Sequence, residues 1–155
     1  MDILILKNPP GIAKKPVDGM SQRKYVLMAI KPQFARLIRE GKKTVELRRV
    51  APKVSTGDIL IIYESAPISK VTSFAEIDDV IQLNPEDLWR SIGSAAMINR
   101  SDFDNYFSGR KVGNGIRIKN VVDLPVSKPL NILPNHAVPQ NYRYLSENEF
   151  TGLCL

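Results

Sequence analysis

Cysteine, histidine and tryptophan are scarce in this 155-residue sequence, which has one of each. Cys154 has no intrachain partner, so a disulfide framework is excluded and a cytoplasmic location is expected. His136 lies in a proline-containing loop, and a single histidine excludes a nuclease built on a histidine pair and argues against a zinc site. No apolar run approaches the roughly 20 residues of a membrane span, and no Walker, Rossmann or nucleophile-elbow motif is present. The sequence therefore predicts no membrane contact, no metal and no cofactor.

Acidic residues are outnumbered by basic ones, 16 to 22, and the two kinds are unevenly distributed. Between Arg23 and Lys53 there are ten lysines and arginines but two acids, whereas residues 64–87 contain six acids and one lysine. A basic patch beside an acidic flank is typical of nucleic-acid binders. A solvated basic face with no partner is the plain alternative. The acids within 76–79 point alternately on a strand, which favours a solvated edge over a Mg²⁺ site.

Residues 1–22 are broken by proline and glycine and predict an N-terminal arm. Residues 23–150 then predict one domain, and 151–155 a C-terminal tail. Helices are expected after Pro32 and behind the caps Asn84 and Ser101, while the segment 139–145 reads as irregular. The apolar pattern predicts strands over 25–30, 43–50, 59–64, 71–83 (bulged near 78–79), 112–119 and 121–126. About five or six strands and three short helices favour an α+β fold with a mixed sheet closed as a small β-barrel.

The segment 41–49 concentrates polar groups where the first helix gives way to a strand. Gly41 is the expected helix stop. On the strand, Thr44, Glu46 and Arg48 share one face, and the intervening Val45 and Leu47 face the core. A hydroxyl, a carboxylate and a guanidinium in a row, with two lysines at the turn, indicate a site rather than a plain surface.

The spacing Gly41-x-Lys43-x-x-Glu46-x-Arg48 resembles the signature of the ASCH domain, a member of the PUA-like superfamily. The preceding Ile30-Lys31-Pro32 and the following Gly57-Asp58 fit the same pattern. Three later segments also match the pattern: 84–89, 103–109 and 139–145. The resemblance therefore covers roughly residues 24–147.

The resemblance implies a PUA-like β-barrel with an RNA-binding cleft beside the signature, and a regulatory role in transcription for some members. Other members resemble hydrolases, including ribonucleases and an acetylcytidine amidohydrolase group. That group uses a threonine three positions after the signature lysine, where this chain has Glu46. Thr44 stands one position after Lys43 and does not inherit the role, which argues against deacylation by a threonine nucleophile.

Lys43 and Glu46 are the candidate catalytic pair. A lysine near a carboxylate can act as an acid/base pair when burial shifts its pKa, and RNA cleavage needs one proton removed and one supplied. A structural salt bridge that orients the turn is the alternative. Arg48 or Lys31 would stabilise the phosphorane charge.

Three hypotheses for function follow. The first is an RNA-binding module for single-stranded or modified RNA, in which Tyr63, Tyr142 or Tyr144 stacks a base. The second is a metal-independent hydrolase, either a ribonuclease or a nucleoside amidohydrolase, and the third is a protein-interaction domain. The expected ligand-binding residues are Lys31, Gly41, Lys43, Thr44, Glu46, Arg48, Tyr63, Ser65 and Arg143.

Overall fold

Strand β1 is an interior strand, formed where the sequence predicted a strand buried on both faces. In the computed structural model, which describes residues 22–155, β1 spans Tyr25–Ile30 and pairs in parallel with β3, Ile59–Glu64. Both strands have the predicted bounds, and nearly every side chain on them is buried. The arm predicted for residues 1–22 lies outside the described residues except for Gln22.

The other elements of the described chain are shorter or longer than their sequence patterns indicated. The predicted strand 43–50 is reduced to four residues, and the two strands predicted over 112–126 are one. The bounds are α1 Pro32–Arg39, β2 Val45–Arg48, β4 Lys70–Leu83, α2 Pro85–Ile92, α3 Arg100–Tyr106, β5 Gly113–Lys128, β6 Arg143–Leu145 and α4 Glu147–Cys154.

The six strands of residues 22–155 form one mixed sheet in the order β2-β5-β4-β3-β1-β6. The α+β class is confirmed, but the predicted closed barrel is not observed, because β2 and β6 are the edges of an open sheet. These two edge strands have only four and three residues, so they offer few backbone groups for a closing ladder. A side chain bridges the gap instead: Arg48 Nη2 donates to the Asn141 carbonyl at 2.7 Å.

The long pair β4–β5 bends through changes of register. One shift lies between Ile77 and Asp79, where the sequence predicted a bulge. In another, Asp123 pairs with Ser73 and Lys128 with Val71, so β5 has extra residues between the two pairs. Pro125 lies in that excess, where its missing N–H costs no ladder hydrogen bond.

Three apolar clusters cover the faces of this sheet. The first core contains Tyr25, Leu27, Ile59, Ile61 and Tyr63 with Phe150 of α4. The second core, on the alternate residues of the same strands, contains Val26, Met28, Leu60 and Ile62 with Ala35 and Ile38 of α1. The third core joins Val45 and Leu47 of β2 to Leu88 and Ile92 of α2 and to Phe103 and Phe107, in and just after α3.

The glycines at the start of β5 let the helices of the third core pack closely on the sheet. A Cβ on Gly115 would lie 2.4 Å from Ile92 Cδ1, so any side chain there would force the Ile92 side chain to move. This close approach helps to place α2 and α3 beside β2, where the cleft described below is formed.

The helix starts follow capping chemistry. Asn84 accepts a hydrogen bond from the Asp87 N–H, as predicted for α2, but the cap of α3 is Asn99 rather than Ser101. Helix α4 begins with a capping box between Ser146 and Glu149 and includes most of the predicted tail 151–155. In residues 22–155 the longest helices have eight residues, and none could cross a bilayer.

Candidate functional site

A cleft of ≈ 510 Å³ opens where the end of β1, the start of α1, strand β2 and helix α3 meet. Four of its lining residues are basic and two are acidic, so its formal charge is positive. Its walls are formed by Ala29, Ile30, Lys31, Gln33, Phe34, Lys43, Glu46, Leu47, Arg48, Arg49, Ile98, Asp102, Asn105 and Tyr106.

The turn from α1 into β2 sets the direction of the signature side chains. Gly41 adopts φ +76°, a left-handed conformation that glycine takes without strain. The Lys42 and Lys43 N–H groups then donate to the Leu37 carbonyl, which closes the end of α1. Strand β2 follows, with Glu46 and Arg48 on the cleft wall and Val45 in the third core.

Lys43 is almost completely buried at the base of the cleft, with 3% of its surface exposed. Its Nζ donates to the Ala96 carbonyl at 2.5 Å and lies 5.2 Å from the centroid of the Phe34 ring. Burial lowers the pKa of Lys43 below its usual value of 10.5, and the negative charge of Glu46 partly opposes that shift. The ammonium group is therefore a better proton donor than an exposed lysine.

Glu46 is also buried, with 7% of its surface exposed. Its Oε1 accepts the N–H of Leu47 at 3.1 Å, whereas its Oε2 is buried without a hydrogen-bond partner in the described chain. A buried carboxylate oxygen without a partner is costly, and the acceptor capacity of this oxygen is unused within the described chain. Lys43 and Glu46 do not form the direct salt bridge that was the alternative. The Lys43 ammonium instead donates to the Ala96 carbonyl.

The remaining cations lie along the cleft rim. Arg48 donates to the Asn141 carbonyl, and Lys31 is exposed at the N-terminus of α1. Arg49 lies over the Tyr106 ring, with its Cζ 4.2 Å from the ring centroid and its Nε donating to the Tyr106 carbonyl at 2.7 Å. These guanidinium and ammonium groups suit a phosphate-bearing ligand.

Of the nine expected binding residues, the structure brings together Lys31, Lys43, Glu46 and Arg48. The other five do not line the cleft. Gly41 and Thr44 shape the turn through backbone bonds, and Ser65 lies 3.5 Å from the Ile30 carbonyl. Tyr63 is in the first core rather than in the cleft lining, and it shares strand parity with Ile59 and Ile61. Arg143 donates to the Asn135 carbonyl at 2.7 Å.

Helix α3 and the residues just before it form a cleft wall that the sequence did not predict. Asp102, Asn105 and Tyr106 come from α3, and Ile98 precedes it. Their sequence shows only a short amphipathic helix, and the contact between Arg49 and Tyr106 joins residues 57 positions apart. No local signal identifies such a pair. Phe34, an apolar position of α1 that packs against the second core, also lines the cleft.

Among residues 22–155, no group of three or more histidine, cysteine, aspartate or glutamate side chains could hold a metal ion.

The family model for the ASCH domain matches residues 28–124. This range includes the whole signature, all of β2 and the second half of β1. The chain belongs to the ASCH domain family. It is 29% identical over 139 residues to an ASCH domain-containing ribonuclease of Zymomonas mobilis subsp. mobilis, covering 86% of this chain and 92% of that protein.

Solved structures show the same family fold. The crystal structure of ASCH from Zymomonas mobilis matches this ASCH protein with a TM-score of 0.80 and 27% identity, over 85% of this chain and 94% of the other. The N-terminal domain of Staphylothermus marinus McrB has a TM-score of 0.55 at 11% identity, over 86% and 94% of the two chains, which shows a shared fold alone.

Proposed function

We propose that this ASCH protein binds single-stranded RNA in the cleft and cleaves it, with Lys43 as general acid and Glu46 as general base. The observation that carries the proposal is the burial of both groups on the wall of a basic cleft. Burial makes the Lys43 ammonium a better acid, and Glu46 Oε2 has no hydrogen-bond partner. The ribonuclease named among its relatives supports the same reaction class.

The proton inventory of the proposed reaction balances. Glu46 Oε2 accepts the proton of a ribose 2′-hydroxyl as its oxygen attacks the adjacent phosphorus, and the P–O5′ bond breaks. Lys43 gives a proton to the departing 5′-oxygen, so the products are a 2′,3′-cyclic phosphate and a 5′-hydroxyl. Arg48 and Lys31 stabilise the phosphorane charge, and solvent then returns Lys43 and Glu46 to their starting states.

Single-stranded RNA fits the cleft better than a duplex. A cleft of ≈ 510 Å³ has the size of a small-molecule site, which accepts a splayed nucleotide but no paired helix. The Phe34 ring offers a surface for a base, and the rim cations offer contacts to its phosphates. A cytoplasmic location is part of this proposal, since Cys154 is a free cysteine.

Cleavage should weaken on the alkaline side of the pH profile, with a midpoint below 10.5. The general acid is the protonated Lys43, so its role is present below its lowered pKa and is lost as pH rises through that pKa. The measurement is kcat/KM on a labelled single-stranded RNA, corrected for spontaneous hydrolysis. In Lys43→Arg, whose guanidinium stays protonated, the remaining activity should show no such alkaline decline; an unchanged decline would assign it to another group.

RNA affinity should fall in Arg48→Ala, and the slope of log K against log salt should become shallower by about 0.7, the value for one lost phosphate contact on a single strand. Fluorescence anisotropy at several salt concentrations measures both, on a single-stranded RNA with 2′-O-methyl groups, which the proposed 2′-hydroxyl attack cannot cleave. Arg48→Lys is the matched control, because it keeps the charge but loses the planar fork. An unchanged slope in Arg48→Ala would remove Arg48 from the phosphate-binding set.

RNA binding without cleavage, in a regulatory role, is the second candidate. The 2.5 Å bond from Lys43 Nζ to the Ala96 carbonyl favours it, because that bond holds the ammonium as a fixed cation. The two candidates differ in one experiment: incubation of the pure protein with a panel of single-stranded RNAs, with EDTA and with Mg²⁺. Binding with every RNA left intact in both conditions selects the regulatory candidate, whereas the acid/base mechanism predicts turnover in EDTA.

A further inference from the structure

Two tyrosines of the edge strand β6 and its flank lie outside the cleft but on its side of the sheet. Tyr144 pairs with Val26, and Tyr142 packs against the second core, which also contains Val26. Their ring centroids are 5.6 Å apart at an interplanar angle of 70°, as expected for alternate residues that share one strand face. Tyr144 is 45% exposed, so one edge of this pair is open to solvent.

Lys24 and Lys53, both exposed, lie beside Tyr144, the first through its ammonium group and the second through its backbone. Lys24 Nζ lies 5.9 Å from the centroid of the Tyr144 ring and donates to the Lys53 carbonyl at 2.9 Å. The Lys53 N–H donates in turn to the Tyr144 hydroxyl at 2.8 Å, which fixes the ring beside the Lys24 ammonium and the Lys53 backbone. Neither lysine forms a salt bridge within residues 22–155, so their charge is not neutralised by an acid of the described chain.

This group is continuous with the cleft. Arg48, on the cleft wall, donates to the carbonyl of Asn141, the residue before Tyr142. From Asn141 to Tyr144 the chain can extend by at most about 10 Å. The basic segment 23–53 therefore contributes both to the cleft and to the surface around Tyr144. Residues from its middle line the cleft, and Lys24 and Lys53, near its ends, lie beside Tyr144.

We propose that Tyr142 and Tyr144 with Lys24 and Lys53, here called the tyrosine step, form a second contact site for single-stranded RNA. A base stacks on the Tyr144 ring, and the two lysines contact the phosphates on either side of it. The step takes nucleotides next to those in the cleft, so the protein binds a longer RNA better than the cleft alone would. This inference rests on the proposed function, because the cleft must hold the adjoining part of the strand.

RNA length separates the step from the cleft. In wild-type protein, anisotropy measures the affinity for a labelled single-stranded RNA on the order of 12 nucleotides, within the site sizes known for single-strand binders. Isothermal titration at high concentration measures binding of a dinucleotide. Both this dinucleotide and the longer RNA carry 2′-O-methyl groups, because the proposed attack by a 2′-hydroxyl cannot cleave them. Tyr144→Ala should weaken binding of the longer RNA by about 5- to 140-fold, the effect of one lost base stack, and leave binding of the dinucleotide unchanged.

Three further variants test the parts of the step. Tyr144→Phe keeps the ring and should bind the longer RNA nearly as wild type. The double variant Lys24→Gln with Lys53→Gln should make the salt slope shallower by about 1.4, for two phosphate contacts. Lys70→Gln, an exposed lysine at the far end of β4, removes one charge elsewhere and should leave the length preference unchanged.

The outcomes distinguish the step from the function it rests on. If wild type binds both RNAs and neither the Tyr144→Ala nor the double-lysine variant changes the affinity for the longer one, the step is overturned and the cleft stands. Equal losses for both RNAs also overturn it. If wild type binds neither RNA, the proposed function fails with it, and a protein-binding surface becomes the account of these residues. Thermal unfolding of each variant confirms that it is folded. If Tyr144→Ala does not fold, the double variant Lys24→Gln with Lys53→Gln decides whether the step binds RNA.

Discussion

Replacement of Lys43 is expected to lower the rate of RNA cleavage by about 10²- to 10⁴-fold, the usual contribution of a positioned general acid. The variant of choice is Lys43→Met, because methionine keeps an unbranched apolar stem in the buried position while removing the amine. Lys43→Ala would add a cavity to the same chemical change. Steady-state kinetics with single-stranded RNA should show the loss in kcat, with a smaller change in KM.

The division between kcat and KM decides what Lys43 does. A group that acts only in the transition state lowers kcat and kcat/KM together, whereas a phosphate-binding cation raises KM with kcat unchanged. Glu46→Gln is the partner variant, and the double variant should be little slower than the slower single one, because residues that act as a unit are not additive. A Lys43→Met enzyme with wild-type kcat would contradict the acid/base assignment.

Replacement of Phe103 by alanine is expected to destabilise the protein by about 3–5 kcal/mol, the range for truncating a buried phenylalanine. Phe103 has no exposed surface, and its ring centroid lies 5.0 Å from that of Trp89 and 4.9 Å from that of Phe107. It anchors α3, whose Asp102 and Asn105 line the cleft, to the third core. RNA affinity should therefore fall together with stability.

Urea unfolding with linear extrapolation measures this loss. Phe103→Leu should cost less, because leucine refills part of the cavity, and Ile132→Ala, at a side chain 46% exposed, should stay within about 0.5 kcal/mol of wild type. If Phe103→Ala unfolds at the wild-type urea concentration, the third core does not hold α3 in place as described.

Helix starts and short strands are the features of the fold that the sequence predicted least well. The box between Ser146 and Glu149, which starts α4, is a Ser-x-x-Glu spacing visible in the sequence, and the helix that it begins includes residues 151–154 of the predicted tail. The cap of α3 is Asn99 rather than Ser101. Asparagine and serine both suit the N-cap position, so residue type alone does not distinguish them, and the backbone conformation decides where the helix begins. Strand β6 has three residues, too few for an alternating pattern to show.

The sequence by itself determined the interior strands β1 and β3, the helix stop at Gly41 and the parity that sends Glu46 and Arg48 to the opposite side from Val45. These follow from local rules, namely the residue periods of strands and helices and the φ freedom of glycine. The tertiary structure alone decided that the sheet stays open, that α3 forms a cleft wall, that Lys43 is buried against Ala96, and that Tyr144 lies beside Lys24 and Lys53. Each of these joins residues tens of positions apart, so it depends on how the cores pack rather than on any local pattern.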